Sequence, residues 1–155
     1  MSSNIVSQVS IVNSLDNLDW DELEQLYVDV EWISFPKHRL QKAFTASYFV
    51  SLAYLEGKLI GCGRVVSDGE FYGTIYDVLV HPNFQSMGIG KKVMADILTN
   101  CSDIFFLQLT ATHGREGFYE KLGLRKHKTA MGRYTHPAPA KEYLEEPSEL
   151  VIKNK

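Results

Sequence analysis

Positive charge is missing from the first 36 of the 155 residues. Lys37 is the first Lys or Arg, whereas seven of the 19 acids, Asp16, Asp19, Asp21, Glu22, Glu24, Asp29 and Glu31, precede it. Two readings stand for that asymmetry: a solvated helix face, or a field that draws a cationic substrate. The whole chain carries a net charge of −3, so no general attraction to nucleic acid or to an anionic membrane is expected. Cysteine is scarce. Cys62 and Cys101 lack C-x-x-C spacing, which supports neither a disulfide framework nor a thiolate metal site and suits a reducing, cytoplasmic setting. His38, His81, His113, His127 and His136 show no metal-ligand spacing, so no metal is expected. No apolar run approaches the roughly 20 residues that cross a bilayer. The opening MSSNIVSQVS has neither the basic nor the apolar block of a signal peptide. No repeat, low-complexity tract or Pro/Gly/Ser linker divides the chain, which predicts one domain over residues 1–155, monomeric or homodimeric, with a core at about 5–134 and a C-terminal extension at 136–155.

What is present is patterned apolar sequence, 45% of the residues. Residues 5–12 alternate Ile and Val with Ser and Gln, which predicts a half-buried strand. Leu23, Leu26, Tyr27 and Val30 then fall at i, i+3, i+4 and i+7, a helical stripe. Asp19 and Glu22 resemble a capping box ahead of it, and Leu18 can staple against Leu23. Leu40, Ala43 and Phe44 predict a shorter second helix with Pro36 in its first turn. Residues 48–55, 59–66 and 71–80 are rich in β-branched and aromatic side chains and are separated by the turn signals EG and SDG, which predicts three consecutive antiparallel strands. Ile89, Val93, Met94, Ile97 and Leu98 form another helical stripe, and 104–109 reads as a buried strand reached by a crossover. A short helix over 116–122, ended by Gly123, and a strand over 124–134 complete the order βααβββαβαβ. The fold class is α/β, in the mixed α+β sense.

One stretch goes against ordinary helix chemistry. Gln85, Ser86, Met87, Gly88, Ile89, Gly90, Lys91 and Lys92 place two glycines and two cations where a helix begins, although a helix N-terminus carries partial positive charge and unpaired N–H groups. Both oddities suit an anion site: glycines let a phosphate approach the backbone, consecutive N–H groups cradle it, and the lysines meet its charge. A Walker A loop fails here, because Gln85 and Lys92 stand where Gly and Ser/Thr are needed. The dinucleotide pattern G-x-G-x-x-G fails at Val93 and, after Gly61 and Gly63, at Val66.

The segment DVLVHPNFQSMGIGKKVM together with GFYEKLGL resembles the GNAT superfamily of acetyl-CoA-dependent N-acetyltransferases. Gln85, Gly88 and Gly90 fill the fixed positions of its Q/R-x-x-G-x-G/A motif. The likeness in element order extends over about residues 5–134, and the resemblance implies a central, mixed, mostly antiparallel sheet flanked by helices. It implies that the backbone of residues 85–91, namely Gln85, Ser86, Met87, Gly88, Ile89, Gly90 and Lys91, holds the pyrophosphate of acetyl-CoA, and that the pantetheine arm runs along Leu79 and Val80 where the fourth and fifth strands splay. Thr112 stands where Asn often contacts that arm, and Arg115 where Ala is frequent. Phe118 and Tyr119 lie in the same helix, and Tyr119 matches the position whose phenol sits near the sulfur. On that resemblance Tyr119 is the general acid and an N–H of Leu79 or Val80 the oxyanion donor.

The base is read from the residues themselves. Asp77 interrupts the apolar strand IYDVLV, where a carboxylate must be paired, hydrogen-bonded or reached by water. It is a candidate to take the amine's proton directly or through water, and equally a candidate for a structural hydrogen bond. His113 and Glu70 are weaker alternatives. Trp32 and Phe35 stand between acceptor pocket and helix core. The basic run Arg125 to Lys128 suits a solvated strand, or contact with the cofactor's phosphates, better than RNA. The expected activity is acetyl transfer from acetyl-CoA to a small cationic primary amine by direct attack in a ternary complex. A protein lysine or N-terminal acceptor, or a non-catalytic acyl-CoA sensor, are the alternatives.

Overall fold

The computed structural model describes residues 4–32 and 35–149. The chain divides into two compact units, Met1–Gly123 and Leu124–Lys155. In the first unit the elements are α1 (Ile5–Gln8), β1 (Ser10–Val12), α2 (Trp20–Asp29), α3 (Lys37–Thr45), β2 (Phe49–Leu55), β3 (Lys58–Ser67), β4 (Tyr72–Val80), a 3₁₀ turn at Pro82–Phe84, α4 (Ile89–Asn100), β5 (Phe106–Gln108) and α5 (Glu116–Glu120).

Periodicity and capping account for the long helices. The Asp19 side chain accepts from the N–H groups of Asp21 and Glu22, and Leu23, Leu26 and Tyr27 bury one face of α2, each fully buried aliphatic side chain contributing about 1.5–3 kcal/mol. The expected reciprocal half of the capping box does not form. Glu22 turns its carboxylate to the Leu59 N–H, 2.8 Å away, because a long-range partner at the edge of β3 competes with the local one. Leu18 and Leu23 share one core cluster with Tyr27, Phe44, Leu52, Cys62 and Leu79, so α2 and α3 pack together on the sheet.

The sheet runs β1-β2-β3-β4-β5. The first four strands are antiparallel, and β5 lies parallel to β4, as the crossover through α4 requires. Helix α4 covers the sheet with Ile89, Val93, Met94 and Ile97. Close approach depends on Gly63, where an added Cβ would stand 2.8 Å from the Ile97 Cδ1 and 3.0 Å from the Val93 Cγ1.

Two expected elements differ. Residues 5–12 are not one strand: Ile5–Gln8 form a helical turn and only Ser10–Val12 pair with β2. The Ser7 hydroxyl and N–H both return to the Asn4 carbonyl, and Lys92 Nζ donates to the carbonyls of Val6 and Val9. These bonds satisfy the backbone locally in place of a ladder. The strand expected over 124–134 is absent. Residues 125–134 are exposed throughout, Met131 almost completely, and the run RKHKTAMGR supplies no alternating apolar face to bury. In the second unit the described structure is instead the helix α6 (Pro137–Tyr143), with the His136 side chain accepting from the Ala138 N–H. Among the described residues no helix is long and apolar enough to cross a membrane.

Candidate functional site

The site grows out of how β4 ends. Its pairing with β5 is limited to Tyr72↔Phe106, Gly73↔Leu107 and Thr74↔Gln108. Beyond Thr74 the two strands part, so alternate main-chain groups toward the end of β4 face away from β3 without a neighbouring strand. On its other side β4 is bulged. Cys62 pairs with Leu79 and Arg64 with Tyr76, so Asp77 and Val78 together oppose the single residue Gly63. Asp77 occupies the left-handed region at φ 56°, a conformation in which Asp and Asn are enriched among non-glycine residues.

From Val80 the chain passes through His81 and the 3₁₀ turn into the glycine stretch. His81 Nδ1 accepts from the Asn83 N–H at 3.2 Å, which places the ring proton of the neutral imidazole on Nε2, 3.4 Å from the Asp29 carboxylate. Gln85 does not reach out to a ligand: its Nε2 donates to the Val80 carbonyl at 3.0 Å and staples the loop to the strand end. Ser86 and Gly88 are both left-handed, at φ 63° and 88°. Gly88 begins α4 with no side-chain cap and no acid in the first turn. A loop that alternates hand in this way turns successive N–H groups toward one point, ahead of an uncapped helix dipole.

These parts enclose a cleft of about 370 Å³ lined by Val30, Trp32, Val78, Leu79, Val80, Gln85, Ser86, Gly88, Gly90, Lys91, Thr112, Arg115, Phe118 and Tyr119, within the range of small-molecule sites. Of the residues singled out from sequence, Leu79, Val80, Gln85, Ser86, Gly88, Gly90, Lys91, Thr112, Phe118 and Tyr119 meet there. Ile89 points into the core, 1% exposed, and Met87 projects outward, 42% exposed; neither lines the cleft. Asp77 turns its carboxylate to Arg64 Nε at 2.6 Å and is not in the lining. Glu70 lies beyond the opposite end of β4, and His113 on the exposed segment before α5. Trp32 and Arg115, left open by the sequence, line the cleft, whereas Phe35 packs edge-on against Tyr27. Val30 and Val78 were missed. An apolar residue at a helix end or in a strand carries no signal of facing a cavity.

Tyr119 stands against Phe118 with ring centroids 5.0 Å apart. Burial pushes its phenol above the ordinary tyrosine value, with Arg115 opposing in part, so the hydroxyl is held protonated as a donor. Gly90 leaves room beside Phe118 and Val80, whose side chains would lie 3.5 and 3.6 Å from an added Cβ.

A shared fold and a long match in sequence accompany this geometry. The family model of the acetyltransferase (GNAT) family matches residues 12–124. The N-acetyltransferase ycf52 of Pyropia yezoensis is 33% identical over 133 residues, covering 81% of this chain and 76% of its own. The histone acetyltransferase TAP1 of Glycine max is 32% identical over 141 residues, covering 82% of this chain and 61% of its own. Among solved structures, a GNAT family acetyltransferase of Streptococcus pneumoniae superimposes with a TM-score of 0.69 over 83% of this chain and 99% of its own, at 22% identity, a likeness of fold. The chain belongs to the GNAT family. It is an acyltransferase of the N-acetyltransferase type, built on the mixed, mostly antiparallel sheet that its sequence implied.

Proposed function

We propose that the protein transfers an acetyl group from acetyl-CoA to a small cationic primary amine. The observation that carries the donor is the juxtaposition, in one cleft, of the alternating-hand loop before an uncapped α4 with the parted end of β4. The residues present fit the group: Gln85 to Lys91 offer main-chain donors and Lys91 a cation for a pyrophosphate, and Leu79 and Val80 offer strand edges for an amide-containing arm. Bound there, acetyl-CoA supplies the activated acyl group.

The chain's own residues then do three things. The main-chain N–H of Val80, which alternates away from β3, stabilises negative charge developing on the acyl oxygen, whereas that of Leu79 is turned to Cys62. The Tyr119 hydroxyl, kept neutral by burial, donates a proton to the leaving sulfur. Phe118, Val30 and Trp32 limit water in the cleft. Departure of the amine's proton, taken by water or by a carboxylate, completes the exchange of a C–S bond for a C–N bond.

The cationic acceptor is supported by Trp32 in the cleft wall, whose ring face attracts cations, and by the acids of α2 and the turn after it. A protein amine is the second reading, favoured by the relative named a histone acetyltransferase. The buried free thiols Cys62 and Cys101 support a reducing, cytoplasmic setting. Thiol release from acetyl-CoA, measured against a panel of polyamines, aryl-alkylamines and lysine peptides, tests the proposal. Turnover with the small amines is expected; turnover with peptides alone moves the acceptor to protein, and tight CoA binding with no thiol from any acceptor leaves a sensor.

A further inference from the structure

Beneath the β4 bulge lies a cluster of polar and charged groups that the chemistry above does not use. Arg64 and Asp77 meet at 2.6 Å with only 16% of each side chain exposed. The Arg64 guanidinium also lies 3.4 Å from the Ser47 hydroxyl and over the rings of Phe44 and Tyr76, 5.6 and 5.3 Å from their centroids. The Cys62 thiol donates to the main-chain carbonyl of Asp77 at 3.4 Å; it is fully buried, and burial raises its pKa, so it remains a donor. The Tyr27 hydroxyl is buried without a hydrogen-bond partner among the described residues. Burial first, and then the neighbouring Cys62 and Asp77, raise its pKa. The left-handed residue of β4 is thus held at its side chain by β3, at its carbonyl by Cys62, and beside α2 by Tyr27.

We infer that Arg64 and Asp77 form a positioning pair, which fixes the kink in β4 and thereby aims the main-chain N–H of Val80 into the cleft. The alternative, Asp77 as the base, conflicts with geometry: the carboxylate faces Arg64 and is absent from the cleft wall. A left-handed non-glycine residue needs support from its surroundings, and a buried ion pair supplies a fixed direction as well as attraction. The pyrophosphate loop has an anchor apart from β4, in Ile89, which seats the start of α4 in the core. Loss of the pair therefore acts on turnover more than on CoA affinity. This inference rests on the proposed acetyl transfer for its kinetic part alone.

The test uses Asp77→Asn, which still tolerates the left-handed backbone, Arg64→Lys, and the double variant Arg64→Met with Asp77→Asn, which leaves no stranded charge should a single change fail to fold. In the ligand-free protein, amide hydrogen exchange at residues 76–80 is expected to accelerate roughly tenfold or more in the Asn and double variants, with α4 unchanged. With donor and amine, kcat is expected to fall roughly 10- to 100-fold while the Kd for CoA stays within about threefold, and the Lys variant recovers most of kcat. The double variant is expected to be no worse than Asp77→Asn. Unchanged exchange with unchanged kcat overturns the pair's role. So does a matching loss of CoA affinity, or loss of a limb of the pH–rate profile in Asp77→Asn alone, which would make Asp77 a proton acceptor. If the wild type releases no thiol with any amine, the acetyl-transfer reading fails, and hydrogen exchange still decides the clamp.

Discussion

Lys92 Nζ lies 3.1 Å from the Val6 carbonyl and also donates to the carbonyl of Val9, so the second lysine of the α4 first turn holds the N-terminal segment, while its neighbour Lys91 lines the cleft. Two adjacent cations that look alike in sequence have separate tasks. Val6 in turn sits above the loop: a Cβ at Gly88 would be 3.7 Å from its Cγ2.

The two lysines are therefore separable by mutation. Lys92→Met removes charge-assisted bonds to two carbonyls and is expected to lower stability by about 1–3 kcal/mol in denaturant unfolding. Lys91→Ala is expected to leave the unfolding midpoint unchanged and to weaken CoA binding by about 3- to 10-fold, read by calorimetry at low salt and diminishing as salt screens the charge.

Glycines divide in the same way. Gly63→Ala forces methyl contacts with Val93 and Ile97 and is expected to cost about 1–3 kcal/mol of stability with little change in CoA affinity for the folded fraction. Gly88→Ala makes only ordinary contact with Val6 but strains a backbone at φ 88°. It should perturb the glycine loop and weaken CoA binding about tenfold or more, with a smaller loss of stability, near 1 kcal/mol. Reversal of that order in paired calorimetry and thermal melts would reduce the glycine loop to a structural turn.

Tyr119→Phe deletes one hydroxyl from a ring that otherwise packs unchanged. Turnover is expected to fall roughly 10- to 1000-fold with CoA affinity preserved. Steady-state kinetics beside a binding isotherm checks this, and unaltered kcat would remove Tyr119 from proton transfer.

Alkaline pH offers a test without mutation. Tyr27, Tyr119 and Cys62 are all held above their ordinary values by burial, and in each the protonated form is the neutral one. Above about pH 9 the unfolded thiol, and above about pH 10 the unfolded phenols, lose protons that the folded chain retains. The unfolded state then binds fewer protons, and stability must fall as pH rises. Urea midpoints measured from pH 8 to 11 should decline through that window. Tyr27→Phe, which removes a buried hydroxyl with no hydrogen-bond partner among the described residues, should flatten the decline.

Local chemistry made much of this readable in sequence. The 3.6-residue spacing of Leu23, Leu26 and Tyr27 behind Asp19 marks α2, and the β-branched runs mark β2, β3 and β4, because periodicity and capping act between near neighbours. The glycine loop is legible for the same reason: Gly88 and Gly90 mark the start of a helix whose dipole needs no distant partner.

Distance along the chain hid the remainder. Arg64 finds Asp77, Glu22 finds Leu59 and Lys92 finds Val6 only after strands and helices are assembled, since each pairing joins elements whose proximity no local pattern encodes. The absent strand over 124–134 shows the converse, for a segment without a face to bury is not held as a strand by its residues alone. The sequence by itself determined most of the elements, the glycine turn and the family. Tertiary structure decided which lysine faces the cleft, where the Asp77 carboxylate points and how β4 bends, because those depend on which groups packing leaves within reach of one another.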